Sequence, residues 1–308
     1  MNISKINTFS GHNDCVYTLT EHKDPAKFFS GAGDGMVALW DLEEQDKGIL
    51  IAKLSTSVYA LNYLAAQNVL LIGQNYQGIH LADVESKKEV GSLKLTKSAI
   101  FDIQTYGDLA FVGTGEGEII VVYLPNLTIV KRIKNSIKSA RCIAINPLDK
   151  EFVVGYSDNT IRIFDLETYE LKKSVSSHTN SVFTVAFSPD YRYLMTSGRD
   201  AHLKIWDVKN DYNLENDIVA HMYAINHIVF SSDGKYFCTC SMDKSIKIWD
   251  AEQFRLLKVI DKARYAGHGT SVNKLLWTSH RDLLISASDD RSISVWNLVE
   301  KEEFDSRR

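Results

Sequence analysis

The stretch Thr196-Ser197-Gly198-Arg199-Asp200-Ala201-His202-Leu203-Lys204-Ile205-Trp206-Asp207 decides the fold, because the chain contains it again. Thr239 to Asp250, Ser286 to Asn297 and Ser30 to Asp41 are close copies, and weaker ones end at Leu81-Ala82-Asp83, Val121-Val122-Tyr123 and Ile163-Phe164-Asp165. The Trp positions and their equivalents are spaced 42, 40, 42, 42, 43 and 47 residues apart, the period of a four-stranded propeller blade. Seven units fill the chain. The fold class expected is all-β, a single seven-bladed β-propeller.

Each unit consists of short alternating runs separated by small and polar residues, which is strand periodicity with tight turns. In the fifth, Ser181 to Phe187 reads as the inner strand, Tyr193 to Ser197 as the second and His202 to Trp206 as the third. Ser188-Pro189-Asp190 and Gly198-Arg199-Asp200 supply the turns. After Trp296 only Asn297 to Arg308 remain, where every other blade has room for a fourth strand, while Ile3 to Phe9 is a strand-like run with no blade of its own. The N-terminal strand is therefore expected to complete the last blade and remove an exposed edge. This gives a propeller over 1–297 and a short charged tail over 298–308.

Composition narrows the function classes. Of 308 residues 44% are hydrophobic and only 4 are Pro, which argues for a folded chain without low-complexity segments. A net charge of −4 gives no global reason to bind polyanions. The locally basic run Lys131, Arg132, Lys134, Lys138 and Arg141 reads as a solvated face, and nucleic acid is not expected as a partner. No apolar run has the length of a membrane span, and Met1 to Ser10 lacks a signal-peptide layout, so membrane insertion is not expected and a cytoplasmic or nuclear location is. Cys15, Cys142, Cys238 and Cys240 are read as buried reduced thiols.

The chain resembles the WD-repeat (Trp-Asp repeat) β-propeller family over essentially its whole length. The resemblance implies blades held by buried His, Ser/Thr, Asp and Trp tetrads. The first unit offers His12, Ser30, Asp34 and Trp40, and the fifth His178, Thr196, Asp200 and Trp206. The sixth offers His221, Thr239, Asp243 and Trp249, and the seventh His268, Ser286, Asp290 and Trp296. In all four, Asp follows the hydroxyl residue by four and precedes Trp by six. The spacing solves a satisfaction problem, since a buried indole N–H needs an acceptor. The hydroxyl accepts from Trp and donates to His, whose other nitrogen meets Asp. Four recurrences, each with an interior Trp, make these trios structural rather than hydrolytic.

The second to fourth units depart from the pattern. They carry Tyr76, Glu116 and Asp158 at the Asp position, Ala82, Val122 and Phe164 at the Trp position, and Leu54, Thr96 and Ser136 at the His position. These blades are expected to rely on apolar packing and to be the looser part of the ring.

Little chemistry stands out. His22, His80, His202, His227 and His280 are scattered, none at metal-ligand spacing with a third ligand. No phosphate-cradling loop enters a helix. Of acids on the inner strands, Asp102 stands nearly alone. No cofactor, metal or catalytic residue is expected.

The inner strands should border the channel mouth with the residue after their first buried aliphatic: Tyr17, Tyr59, Phe101, Arg141, Phe183, Asn226 and Asn273. The family resemblance implies partner contact there and just before the turn Asp, where Arg199, Met242 and Asp289 stand. Tyr, Phe, Arg and Met are typical interface anchors. The connection bearing Lys262, Arg264 and Tyr265 is expected to form a rim or lid, and the insert at Asn210 to Asn216 a second contact site on the bottom face. Ligase adaptors of this family tend to carry Arg two residues after Trp-Asp; Glu43, Glu167, Lys209 and Glu252 stand there instead. The functional expectation is a monomeric, non-catalytic scaffold binding proteins or peptides through its top face. The alternative is a propeller enzyme or small-ligand binder using the channel mouth.

Overall fold

The computed structural model describes residues 1–44 and 47–299. Seven four-stranded antiparallel sheets follow one another around a ring. Blade 5 is typical: Val182–Phe187 innermost, then Tyr193–Gly198, His202–Asp207 and Asn213–Val219 outermost. Blade 7 combines Val272–Thr278, Leu283–Ser288 and Ile293–Val299 with the N-terminal strand Asn2–Phe9. That strand pairs antiparallel with Ile293–Val299, so both ends of the ring meet inside one sheet. Leu298 and Val299 pair with Ile3 and Asn2, which places the first two residues of the expected tail in the strand. Residues 300–308 lie outside the described residues.

The burial pattern explains the sequence pattern. Second strands such as Leu283–Ser288 and Glu151–Tyr156 are buried throughout, because both faces are covered by neighbouring blades. The outermost strand of blade 4, Leu171–Ser176, alternates exposed and partly buried residues from Lys172 onward instead. The core is a series of seams between consecutive blades. One joins Val153, Ile161 and Ile163 of blade 4 to Val182, Leu194 and Trp206 of blade 5. Another joins Ile285, Val295 and Phe9 of blade 7 to Val16, Phe28 and Trp40 of blade 1 and seals the circle.

Close approach at the seams dictates a small residue three places before the turn Asp or its equivalent. A Cβ on Gly31 would stand 2.8 Å from Val58 Cγ1, and one on Gly155 2.7 Å from Val182 Cγ1. Cys240 occupies the same place in blade 6, fully buried, and Cys238 and Cys142 are buried with it. All four cysteines are free thiols, but Cys15 is only partly buried. It precedes the first inner strand and donates to the Asp289 carbonyl oxygen at 3.7 Å; burial, then the nearby Asp289 carboxyl, pushes its thiol up to about 11.

The connection before blade 7 forms one helical turn, Lys262–Tyr265, capped by Asp261. It packs against the N-terminal strand, on the outside of the ring rather than over the channel. The bottom insert braces two blades: Tyr212 is buried and donates to Glu151 Oε2 at 2.6 Å, and Asp211 receives Lys173 at 2.7 Å.

Candidate partner-binding face

The tetrad residues meet in all four blades. In blade 5, Trp206 Nε1 donates to Thr196 Oγ1 at 2.9 Å, which lies 2.8 Å from His178 Nε2, while His178 Nδ1 lies 3.0 Å from Asp200 Oδ2. Blades 6 and 7 repeat this with hydroxyl-to-Nε2 distances of 2.7 and 2.8 Å. An indole can only donate, so the hydroxyl hydrogen points to Nε2 and the His proton sits on Nδ1, toward Asp. Burial works to raise the carboxyls of Asp200, Asp243 and Asp290. Hydrogen bonds from His178, His221 and His268 and from the turn outweigh it and hold all three well below the usual carboxylate range. Blade 1 is looser at one joint: His12 Nδ1 stands 3.4 Å from Asp34 Oδ2 and lacks a hydrogen bond.

Each Asp also fixes two pieces of the top face. One oxygen takes the amide two residues on, as in Ser245 N to Asp243 Oδ1 at 3.0 Å. The other takes the amide just after His, as in Met222 N to Asp243 Oδ2 at 3.2 Å and Thr179 N to Asp200 Oδ2 at 2.9 Å. The tetrads thus hold the loops from which the rim is built. Blade 4 does the same with other residues: Ser136 Oγ donates to Asp158 Oδ2 at 2.7 Å, and Arg162 Nη2 to the same oxygen at 2.8 Å. Blades 2 and 3 fill the equivalent space with Leu54, Ile72 and Ala82 and with Thr96, Val112 and Val122. Ile72, Ala82, Val112 and Val122 are buried, so this part of the ring is closed as tightly as the rest.

The mouth residues share a backbone cause. In six inner strands the pairing register shifts at the residue in question: Tyr17, Phe101, Arg141, Phe183, Asn226 and Asn273 each sit in a β-bulge. A bulged residue leaves the ladder and re-aims its side chain. Together with Tyr59 they line a cavity of about 390 Å³. The rings of Tyr17 and Tyr59 meet edge-on at 4.7 Å between centroids, and Tyr59 stacks on Phe101 at 5.9 Å. The Arg141 guanidinium lies 4.0 Å from the Phe101 ring and 4.7 Å from Phe183.

Asn226 and Asn273 use their amides inside the fold: Asn226 Nδ2 donates to Val272 O at 2.8 Å, and Asn273 Nδ2 to Val16 O at 3.0 Å and Asp289 Oδ1 at 2.7 Å. These residues and Asp289 tie blades 6, 7 and 1 together rather than standing free. Arg199 and Met242 are exposed. Of the basic run, Arg141 is in the channel whereas Lys131, Arg132 and Lys134 lie on the outermost strand of blade 3, so the run forms no single surface.

Two groups escape the sequence reading. Lys274 and His227 line the same cavity. On the rim, Met222, Tyr223, Ile137 and Tyr76 are exposed by 81%, 62%, 86% and 63%. Outside the strands, the large apolar side chains that are exposed among the described residues are these four, Met242 and Leu148. Only Leu148 is on the bottom face.

The remaining histidines are dispersed: His22 stacks on Tyr63 at 5.0 Å, His80 meets Glu89 at 2.8 Å and His202 meets Asp217 at 2.6 Å. Among the described residues no three His, Cys, Asp or Glu side chains converge to hold a metal ion, and no helix is long and apolar enough to cross a membrane.

Residues 3–41 match the family model described as WD domain, G-beta repeat. The crystal structure of the WD40 beta propeller domain of Doa1 superposes with a TM-score of 0.86, covering 97% of this chain and 98% of that one at 17% identity. The chain belongs to the WD-repeat family. Protein groucho of Drosophila melanogaster is 23% identical over 212 residues, 65% of this chain and 28% of that protein. Eukaryotic translation initiation factor 3 subunit I of Nematostella vectensis is 21% identical over 208 residues, 68% of this chain and 54% of that protein. The match thus spans 28% and 54% of the two relatives' lengths. Residues 145–306 also match a model described as cytochrome D1 heme domain, a likeness at the level of the propeller fold that demonstrates no enzyme activity. The mouth of this WD-repeat propeller does not fit a haem. The faces of Phe101 and Phe183 are covered by Arg141, and the Nδ1 of His227 is 3.4 Å from the Leu275 amide nitrogen, which donates to it.

Proposed function

We propose that the protein is a non-catalytic platform on which protein or peptide partners assemble, and that the top face is the contact surface. The observation that carries this reading is the placement of exposed Met222, Tyr223, Met242, Ile137 and Tyr76 on that face, beside an aromatic-lined mouth. Exposing such side chains costs solubility unless something covers them, and Met and Tyr anchor interfaces well. The loops of Met222, Tyr223 and Met242 are pinned by Asp243 and that of Ile137 by Asp158, so these four are presented on a rigid frame with little ordering entropy left to lose on binding. A relative whose name marks it as a subunit of a translation initiation factor agrees with this role.

The test is affinity capture from the native host's lysate, with wild type compared with a Met222→Ser, Tyr223→Ser, Met242→Ser triple variant of unchanged melting temperature. A partner held by the wild type and lost by the variant supports the platform. Equal capture by both removes the top rim from the interface.

A further inference from the structure

Two cations line the channel mouth without a salt bridge to an acid among the described residues. Arg141 is partly buried, and it makes no hydrogen bond or ion pair among the described residues. Lys274 lines the same cavity and acts on the Asp102 carboxyl through its charge, with no hydrogen bond to it. The carboxylate within reach is Asp102, but its oxygens are taken: Oδ1 accepts from Ile103 N at 2.9 Å and Gln104 Nε2 at 3.1 Å, and Oδ2 from Ile143 N at 2.7 Å. Burial leaves the Asp102 carboxyl raised from its ordinary value, against the opposing pull of Lys274 and these three N–H donors. His227, the remaining titratable group of the cavity wall besides the tyrosines and Cys142, is held neutral by burial and then by the charge of Lys274.

The surroundings of Arg141 also fix the direction of any acceptor. Phe101 and Phe183 lie 4.0 and 4.7 Å from the guanidinium, so the free approach is along its N–H edge. That edge is a fork matched to the two oxygens of a carboxylate. A cationic anchor would find both rings already covered by Arg141. With the two Asp102 oxygens accepting three N–H donors as a carboxylate does, the Arg141 and Lys274 of the cavity wall leave one surplus positive charge, which one carboxylate neutralises and a phosphate, carrying about −1.5 to −2, exceeds.

We propose that the channel mouth is a carboxylate-binding site that takes one Asp or Glu side chain of a partner peptide against the Arg141 fork, with Lys274 as the second cation. This inference deepens the platform reading and rests on it. It makes the mouth the specificity pocket and leaves the apolar rim as the surrounding contact.

The experiment follows the Arg141 side-chain N–H resonance in isotope-labelled protein during titration with N-acetylated, C-amidated tripeptides. The probes are Ala-Glu-Ala, Ala-Gln-Ala and Ala-phosphoserine-Ala. The expected result is a saturable shift with the Glu peptide, at least about tenfold tighter than with the Gln peptide, the factor one charge-assisted hydrogen bond carries. Arg141→Lys keeps the charge but loses the fork, and it should weaken the Glu peptide as Lys274→Met does, with both variants melting as wild type. Should Arg141→Lys lower melting, Lys274→Met carries the comparison. Equal binding of Glu and Gln peptides, no shift at Arg141, or tighter binding of phosphoserine overturns the proposal. A partner captured equally by wild type, Arg141→Lys and Lys274→Met but lost by the rim triple variant also overturns it, while leaving the platform standing. Capture unchanged in every variant removes both the mouth and the rim from the interface, and with them the top face as the contact surface.

Discussion

Blades 1, 5, 6 and 7 are held by buried polar tetrads, whereas blades 2, 3 and 4 occupy the same fold with few of those residues. The two halves of the ring teach that the tetrad is one of two solutions. Where an indole is buried, its N–H must be answered, and the answer propagates through hydroxyl and imidazole to Asp. Where Ala82, Val122 or Phe164 replaces the indole, there is nothing to satisfy, and Ile72, Val112 and Val154 fill the hydroxyl position, all buried. Replacing all partners of a buried network by apolar groups of suitable shape is close to neutral, whereas removing one partner is not. Blade 4 lies between the two, keeping Asp158 but engaging it with Ser136 and Arg162.

The severest test of whether a tetrad can hold a blade alone is removal of residues 2–9, which deprives blade 7 of its outermost strand and the closing seam of Phe9. The tetrad around Trp296 stays covalently intact, yet the edge of Ile293–Val299 is exposed. We expect the truncated chain to lose its cooperative thermal transition, because the seam is a large share of the roughly 5–15 kcal/mol that folded domains hold. A sharp transition near the wild-type temperature would mean that the tetrads, not closure, hold the ring.

A reciprocal swap separates the two kinds of blade. Thr239→Val in blade 6 preserves shape but strands Trp249 Nε1 and His221 Nε2, which now meet the hydroxyl at 3.0 and 2.7 Å. It should cost about 2–5 kcal/mol in urea unfolding. Val154→Thr in blade 4 installs a hydroxyl with neither Trp nor His to receive it and should also destabilise, by about 1–3 kcal/mol. If Val154→Thr were stabilising, the apolar blades would be defective tetrad blades rather than an alternative packing.

How much of this could be read from the chain follows from the same physics. The tetrads were legible because a hydrogen-bonded network requires fixed residue types at fixed spacing, and His12, Ser30, Asp34 and Trp40 keep it as faithfully as Thr239 and Trp249. The mouth positions Tyr59, Phe101 and Arg141 were legible through strand periodicity. Lys274 was not, because in a regular strand it would share the buried face of Val272. The bulge at Asn273 puts the two at successive ladder positions and so on opposite faces, and a bulge has no residue signature. Met222, Tyr223 and Ile137 lie in loops, where no periodicity separates a displayed side chain from a covered one.

Within the tetrad blades, Asp243→Ala and Asp34→Ala should differ. Asp243 meets His221 Nδ1 at 2.8 Å, whereas Asp34 stands 3.4 Å from His12 Nδ1, so the first loses a hydrogen bond that the second does not make. Both lose their turn amides. We expect about 2–3 kcal/mol for Asp243→Ala and about 1 kcal/mol less for Asp34→Ala. Equal losses would place the value of the Asp in its turn and not in its His.

Acid should weaken the tetrad blades in two stages. His12 and His221 are depressed by burial, more strongly than Asp34 and Asp243 raise them, so below about pH 6.5 the unfolded chain binds protons that the folded one refuses. Below about pH 4 the unfolded carboxyls protonate while Asp200, Asp243 and Asp290 stay ionised in the fold. In both windows the unfolded state carries more protons, so stability rises with pH. It is fully present above both unfolded values and is lost progressively as pH falls toward the depressed folded ones. The urea midpoint should therefore decline from pH 7 to pH 3 in wild type. A variant carrying Asp200→Asn, Asp243→Asn and Asp290→Asn should start lower at pH 7 and decline less, because its missing carboxyls no longer distinguish the two states. Parallel curves would assign the acid sensitivity to surface pairs such as Lys150 with Glu167 and leave the tetrads with no share in it.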